Sequence, residues 1–528
     1  MTIHLFSLAI LLVPLAATIR LFFVDPKQTA RIHGIAKLAT FIPLVVSFLM
    51  WMGYDTSGEK YQFVTDIPWV ESIGLGLRLG ADGITIAMLL LTSLVMFTGV
   101  YVSGSITDRV KEHYILLLGL GTGVFGVFLS LDLFFFYFFY ELAVIPMFLL
   151  IGVWGSRAAQ YSKEYATTKL TLYLTAGAVF ALVGLLALYF QAPEGARTFD
   201  IRKLEAMGVD TDFQRVWFPV IFLGFAAIIP MWPLHSWSPI GHAAAPSAVS
   251  MLHAGVLMKL GAYGVLRIGY GLMPAGADHW MGWVALLCVM NILYGGMVAM
   301  AQRDMKFIIG FSSSSHMGYV LLGLATLGVT GVSGAVFLMF AHGIMTALAF
   351  GLIGFFYDQT HTRVLDDLGG MIKQMPFIGT CFVIMAMASA GLPGFANFAS
   401  ELLVIVGSWN AEYTLAGTSI TVRYLPTIAA VWGLVVTGVY LLRAVRDAWF
   451  GPPNPRWDGL KDAVTFKQKM PFVVLILVLT YTGCFPGRLL DTIESGVRNV
   501  MERVEAAGAV DAAEVSPESA PDDEGAAK

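Results

Sequence analysis

Three ionisable side chains lie inside long apolar stretches of this 528-residue sequence and could carry protons or ions. Glu141 lies in the run 133–151, Lys259 lies in MLHAGVLMKLGAYG, and Glu401 follows GLPGFANFAS. A charged group inside an apolar helix costs several kcal/mol, and such groups usually mark an ion or proton path. Residue type and position therefore favour proton or cation transfer, with purely structural capping or pairing as the alternative.

Three histidines share these apolar stretches: His253, His316 and His342. Imidazole exchanges protons near neutral pH, which suits a proton relay. A buried histidine can equally serve as a hydrogen-bonded structural residue. The sequence leaves both roles open for each of the three.

The composition indicates what must hold these groups. The sequence is 57% hydrophobic and 13% charged, whereas a soluble domain is about 45–50% apolar and about 25% charged. This excludes a water-soluble enzyme and a disordered chain, and a net charge of −4 offers no basic excess to a nucleic acid. The three cysteines lie far apart, so we expect neither a disulfide framework nor a metal site.

Runs of roughly 20 apolar residues predict membrane-spanning helices. The expected fold class is an all-α polytopic membrane protein with about fourteen such helices, at 4–24, 34–53, 82–103, 113–131, 132–154, 166–190, 215–233, 245–271, 277–300, 306–327, 331–357, 376–409, 423–447 and 470–486. No basic residue precedes the first run, so we expect an uncleaved helix. Lys and Arg concentrate in the loops after odd-numbered helices, including Lys306, which predicts that both termini are periplasmic.

The seventh and twelfth predicted helices are interrupted. Pro230 and Pro233 break the seventh, and Gly391-Leu392-Pro393-Gly394 lies in the middle of the twelfth. Broken helices at corresponding positions point to an internal repeat. The two broken helices are five positions apart in the order of helices, and because five is an odd number the repeats must have opposite orientations. We therefore predict two inverted repeats, helices 4–8 and helices 9–13.

These repeats predict a division of the chain into five regions. The expected regions are helices 1–3 (1–112), the first repeat (113–271), the second repeat (272–450), a loop with helix 14 (451–504) and a tail (505–528). The tail holds seven acidic residues and one lysine in an Ala/Ser/Pro background, so we expect it to be disordered.

Several ordered motifs resemble those of a known family: FYELAVIPMFLLIG, PMWPLHSW, GVLMKLGAYG, SSSSHMGYVLLG, FAHGIMTALAFGLIG and GLPGFANFASELL. Over roughly residues 80–450 the chain resembles the antiporter-like subunits of proton-pumping NADH:quinone oxidoreductase (respiratory complex I), most closely the subunit M, or chain 4, branch. Such subunits hold a central axis of buried carboxylates, lysines, histidines and waters through which protons are thought to move.

The resemblance implies roles for individual residues. Those that match the family's proton-translocating positions are Glu141, Lys259, Glu401, His316 and His342, and Lys169 matches a lysine at the start of the sixth helix. One departure concerns the family pattern F-x-x-K-x-P, where FAAIIP places Ile228 instead of the lysine thought to pair with the helix-five glutamate. His253, His235 or Lys259 could replace that charge, and the sequence does not rank them.

The resemblance predicts a proton-translocating subunit of the bacterial inner membrane, with antiporter-like neighbours on both sides. It implies no cofactor in this chain, because FMN and iron–sulfur clusters are expected on partner subunits and NADH and quinone act only through the complex. Three alternatives remain open: a subunit of an Mrp-type cation/proton antiporter, a subunit of a hydrogenase- or formate-linked pump, and a non-pumping scaffold. The missing lysine at Ile228 favours the scaffold.

Overall fold

The structure, a computed structural model, describes residues 5–157 and 161–515, which are mostly helical. Within these ranges eleven helices are long and apolar enough to cross a membrane, or twelve if the bent pair Phe466–Cys484 and Gly487–Gly508 is one span. The predicted multi-pass membrane protein is therefore confirmed. The predicted count of fourteen is not reproduced, because the seventh and twelfth predicted helices are divided into pieces that are too short or not apolar enough to span a membrane.

The helices are joined by connections of unequal length, and the connection at 54–82 contains a hairpin. They are α1 (Leu5–Phe22), α2 (Thr29–Gly53), α3 (Gly83–Val102), α4 (Val110–Leu129), α5 (Leu133–Trp154), α6 (Lys163–Gln191), α7 (Ile201–Met207), α8 (Thr211–Ile228), α9 (Trp237–Ala244), α10 (Ser247–Leu252), α11 (Met258–Gly264), α12 (Pro274–Ala301), α13 (Met305–Ala325), α14 (Val329–Thr360), α15 (Pro376–Ser389), α16 (Ala396–Asn410), α17 (Leu425–Val445), α18 (Phe466–Cys484) and α19 (Gly487–Val515).

Both predicted breaks are present. α8 ends at Ile228 and α9 begins only at Trp237, because two prolines in this stretch cannot donate the backbone hydrogen bonds that a helix needs. α15 ends at Ser389, and Gly391 then adopts a φ of +72°, which favours glycine and takes the chain out of the helix. Each break leaves backbone polar groups inside the bundle, where only protein or an aqueous cavity can satisfy them.

Two spans form the centre of the bundle. All residues in the most apolar stretches of Ser247–Tyr270 and Val329–Thr360 are buried, whereas α1 and α2 are mostly exposed at the periphery. The first of these spans contains α10 and α11, joined and followed by π-helical turns at His253–Leu257 and Val265–Tyr270. π-turns are rare and often occur at functional sites.

The expectation of an all-α chain is wrong in detail, because two small antiparallel hairpins accompany the helices. The larger pairs β1 (Gln62–Val70) with β2 (Leu75–Ala81), and the smaller pairs β3 (Tyr413–Thr414) with β4 (Thr421–Val422). Arg78 of β2 lies 2.6 Å from Asp132, the residue that caps α5, and so fastens the larger hairpin to the bundle. A search for long apolar runs passes over such strands because they are short and half polar.

The predicted disordered tail is also partly wrong. The chain turns by 75° after α18 and continues as α19 up to Val515, so residues 505–515 are helical. The buried side chains of α19 recur every three or four residues at Leu489, Ile493, Val497, Val500 and Val504. This amphipathic face packs against α3, α12 and α14, and its low mean hydropathy hides it from a search for spans. Residues 516–528 of the predicted tail lie outside the described residues.

Candidate functional site

Lys259 lies at the centre of the bundle and is fully buried. It belongs to α11, whose neighbours on both sides are the π-turns described above. Its Nζ atom lies 2.5 Å from the carbonyl oxygen of Ala254 and 2.9 Å from Nδ1 of His342 on α14. An ammonium here donates to both acceptors, so the lysine is joined directly to one of the predicted histidines.

A second contact carries the series from His342 to His316 on α13. The two imidazole rings are 5.2 Å apart between centroids, and Nε2 of each ring has no hydrogen-bond partner among the described residues. Both rings are fully buried. Buried polar groups without protein partners are the ordinary places for ordered waters, so a water-mediated step between the two rings is compatible with this separation.

The orientation of His316 is fixed by its other nitrogen. Nδ1 lies 2.8 Å from the carbonyl oxygen of Ser312, and a carbonyl only accepts, so Nδ1 must carry a hydrogen. Nε2 is therefore the nitrogen that can gain or lose a proton. It lies 3.4 Å from Oε1 of Glu401 on α16, an ion-pair distance longer than a well-formed hydrogen bond. Lys259, His342, His316 and Glu401 thus form a continuous series, which we call the central file.

Glu401 owes its position to the break in the twelfth predicted helix. A Cβ atom placed on Gly391 would lie 2.7 Å from Oε2 of Glu401, so the glycine makes room for the carboxylate. The side chains of Asn397 and Ser389, on the two helices that flank this break, likewise lack hydrogen-bond partners within the described part of the chain. The helix break therefore leaves room for a buried carboxylate, with unpartnered polar side chains on the two helices that flank the break.

Glu141 does not join the central file. It is half-buried on α5, and its side chain shares a hydrogen bond with Tyr137, one turn earlier on the same helix. Ile228, at the position predicted to lack the family lysine, is fully buried and would collide with a Cβ on Gly261 of the Lys259 helix. The structure therefore fills the space beside α11 with a hydrocarbon side chain.

The three further candidates fall into two places. His253 is fully buried, has no hydrogen-bond partner on either ring nitrogen within the described residues, and lies 4.2 Å between ring centroids from His242. His235 and Lys169 lie in a different region, near each other: His235 packs edge-on against Tyr294, and Lys169 is only half-buried. His253 is thus the candidate with contacts toward the centre of the bundle.

Comparison with known proteins decides the family. A family model described as "NADH:quinone oxidoreductase/Mrp antiporter, TM" matches residues 130–424, which is more than half of the chain. The chain belongs to this family. The stretch that matches contains every member of the central file, together with Glu141 and Ile228.

Relatives with curated names agree over nearly the full length. The chain is 34% identical over 510 residues to NADH-quinone oxidoreductase subunit M of Rhodobacter capsulatus, covering 93% of this chain and 96% of that one. It is 33% identical over 474 residues to NAD(P)H-quinone oxidoreductase chain 4 of Gloeobacter violaceus, covering 90% and 88%. A chain of respiratory complex I from Thermus thermophilus with bound NADH has the same fold, with a TM-score of 0.84, 23% identity and coverage of 94% and 99%. The resemblance stated from the motifs is confirmed.

The motifs of this antiporter family did not reveal every polar residue at the centre. Lys306 was counted above as a loop cation, which is wrong: it is buried at the start of α13, with Nζ 2.6 Å from the carbonyl oxygen of Ala245. His242 was not considered, yet it is fully buried and its Nε2 lies 3.0 Å from Oγ of Ser238. The sequence does contain a signal for the burial of Lys306, because this residue lies inside the predicted membrane helix 306–327.

Proposed function

We propose that this chain is a proton-translocating membrane subunit of NADH:quinone oxidoreductase. The observation that carries the proposal is the central file, in which a lysine, two histidines and a carboxylate follow one another inside the bundle. The lysine Nζ atom lies 2.9 Å from Nδ1 of the first histidine, the two imidazole centroids are 5.2 Å apart, and Nε2 of the second histidine lies 3.4 Å from the carboxylate oxygen. All four side chains belong to residues that are 1% exposed or less. Ionisable groups in such positions mark proton relays in membrane proteins, and the relatives named as NADH-quinone oxidoreductase subunits support this particular machine.

The file moves protons by successive changes of protonation. A proton leaving the Lys259 ammonium is accepted at Nδ1 of His342 while the proton on Nε2 of that ring is released. The ring accepts again at Nδ1 only after its remaining proton has returned to Nε2. His316 accepts at Nε2, because its Nδ1–H is held by a backbone carbonyl. Transfer to the Glu401 carboxylate then completes the series. We place the redox chemistry, with FMN, iron–sulfur clusters, NADH and quinone, on partner subunits, and assign no cofactor to this chain.

Glu141 is the carrier that we assign to the N-terminal half. Its half-buried position on α5 and its separation from the central file suit exchange with a neighbouring membrane subunit, since the antiporter-like partners are expected on both sides. The matching lysine is replaced by Ile228, so another group must provide any positive charge. His253, His235 and Lys259 stay the candidates for this charge, of which Lys259 belongs to the central file.

The topology that we propose follows from the two broken helices. Helices α4–α11 and α12–α17 would form the two inverted repeats, corresponding to residues 113–271 and 272–450. The basic loops after the odd-numbered spans support a cytoplasmic location for those loops and periplasmic termini. We assign the chain to a bacterial inner membrane, within a multi-subunit complex.

A second candidate is a subunit of an Mrp-type antiporter, because the description of the matching family includes that class. Purification of the intact complex distinguishes the two. Flavin, iron–sulfur clusters and NADH:quinone activity in the purified complex support the oxidoreductase, whereas a complex that exchanges Na⁺ for protons without them supports the antiporter.

The direct test uses the intact complex in proteoliposomes, with NADH and a quinone as substrates. Lys259→Met is expected to abolish the share of proton uptake that passes through this chain, because methionine has a similar length but no titratable group. Lys203→Met, at an exposed lysine on α7, is the matched control and is expected to pump normally. Normal proton uptake per NADH in the Lys259→Met complex would contradict the proposal.

A further inference from the structure

Two adjoining cavities open at the end of the bundle where α3 and α14 end. The outer cavity has a volume of about 610 Å³, and its rim carries Lys37, Lys461 and Lys467. The inner cavity has a volume of about 120 Å³, which is room for several water molecules. The two share Ser105 and Asp358 in their walls, so they adjoin, and we call them together the passage.

Lys306 lines the inner cavity. The residue is 2% exposed, and its ammonium donates to the carbonyl oxygen of Ala245 at the end of α9. His113 and Ser103 line the same cavity, and Nε2 of His113 lies 3.2 Å from Oγ of Ser103. Nδ1 of His113 has no hydrogen-bond partner within the described residues. A buried lysine in a polar cavity beneath an exposed carboxylate, Asp358, is an arrangement suited to accepting protons from solvent.

His242 lies beyond Lys306, on the same segment that the lysine contacts. The Ser250 hydroxyl lies 2.9 Å from the carbonyl oxygen of His242 and 3.2 Å from that of Ala245 and donates to both. It therefore holds His242 close to the carbonyl that accepts the Lys306 hydrogen bond. Nδ1 of His242 has no hydrogen-bond partner among the described residues. Lys306, Lys259 and His342 are ionisable neighbours of this ring. Oγ of Ser238, the partner of its Nε2 atom, also lies 3.5 Å from Sδ of Met258, the residue before Lys259.

We propose that the two cavities are the proton entrance of this chain, and that Lys306 and His242 carry protons from the Asp358 mouth to the central file. The proposal rests on the proposed function and assigns a starting point to its proton path. A proton moves from the Lys306 ammonium to Nδ1 of His242, and this imidazolium then gives the proton to the neutral Lys259 amine that remains after Lys259 has protonated His342. The neutral Lys306 amine is recharged by a proton from solvent in the cavity. The cargo is a proton and not a metal cation, because an ammonium at the end of the passage repels other cations.

The first experiment measures proton uptake per NADH by the intact complex in proteoliposomes. Lys306→Met and Lys306→Arg are both expected to lose this chain's share of proton uptake. Methionine has no titratable group, and the arginine guanidinium keeps its proton at all accessible pH values. Lys373→Met, an exposed lysine in the loop before α15, is the matched control. Full proton uptake in either Lys306 variant overturns the proposal that the passage is the proton entrance. Absence of uptake in the wild-type complex would instead contradict the proposed function.

The second experiment blocks the passage without changing Lys306. Ser105→Cys places a thiol in the exposed wall shared by both cavities, and Ser57→Cys places one in an exposed loop between α2 and β1. A negatively charged, membrane-impermeant thiol reagent is expected to remove this chain's proton uptake in Ser105→Cys and to leave it unchanged in Ser57→Cys. Equal uptake in both labelled variants, or failure of the thiol introduced by Ser105→Cys to react while the complex is intact, overturns the proposal.

Discussion

Gly391→Ala is expected to impair proton uptake more than Gly394→Ala, although both changes strain the same helix break. Gly391 has a φ of +72° and Gly394 a φ of +102°, so an alanine at either position occupies the left-handed region. That costs about 1–2 kcal/mol for an L-residue. The two variants should therefore lose similar stability, and only their effect on the carboxylate of Glu401 differs.

The difference comes from what the new methyl group meets. At Gly391 it would lie 2.7 Å from Oε2 of Glu401, and ordinary contact begins at 3.4 Å, so the carboxylate must withdraw by about 0.7 Å. At Gly394 no heavy atom of the described residues lies within 4 Å of the new methyl group. If the withdrawal lengthens the 3.4 Å contact with His316 to about 4.1 Å, the attraction between unit charges falls from roughly 5 to roughly 4 kcal/mol at an effective dielectric constant of about 20. We therefore expect proton uptake to fall roughly fourfold in Gly391→Ala.

Two measurements separate site damage from loss of stability. Proton uptake per NADH in proteoliposomes reports the first. Thermal unfolding, followed with a thiol-reactive dye, reports the second, because Cys288 and Cys381 are buried and become reactive only on unfolding, above a background from the exposed Cys484. If the two alanine variants have equal uptake at equal stability, Glu401 does not work through its contact with His316, and the proposed order of the central file is wrong.

Three further changes test other parts of the molecule. Glu141→Gln and Glu141→Ala are both expected to reduce NADH-driven proton uptake while Glu164→Gln, at an exposed position on the next helix, is not; full uptake in both Glu141 variants refutes its role as a carrier. Ile228→Lys is expected to move the pH dependence of proton uptake, because it adds a titratable group beside the Lys259 helix, and an unchanged pH profile argues that this position does not serve the carrier. Arg267→Met is expected to destabilise the bundle by about 3–5 kcal/mol in thermal unfolding, because it leaves the buried Asp82, 2.8 Å away, without its partner. Adding Asp82→Asn should recover part of that loss, because the other hydrogen bonds of Arg267 stay broken, and no recovery would show that the ion pair is not the cause.

The sequence was a good guide to the spans and to the places where they break. Long apolar runs must be helical in lipid, because the backbone can satisfy its polar groups only within the segment itself. The breaks at Pro230–Pro233 and Gly391–Gly394 were visible for the same reason, since proline and glycine act on their own turn of helix. These are local properties, and local properties can be read from one stretch of residues.

Elements that depend on a partner surface were missed. The hairpin Gln62–Ala81 and the helix α19 are stabilised by the bundle they pack against, and neither has a long apolar run. Lys306 was assigned to a loop because a count of charges cannot distinguish a lysine at a helix end from one folded into the interior. Its burial follows from the cavity around it and from the carbonyl of Ala245.

The sequence by itself placed Glu141, Lys259 and Glu401 within membrane helices, since the cost of burying an ionisable group leaves only a few of them in apolar runs. The tertiary structure decided which of these groups meet. Lys259 contacts His342, 83 positions away, while Glu141, with equally suggestive surroundings in sequence, lies apart on α5. The physical reason is that contact between side chains depends on how each helix is rotated about its axis and how deeply it is set in the bundle. Those quantities are fixed by the packing of all the helices together, and no single segment encodes them.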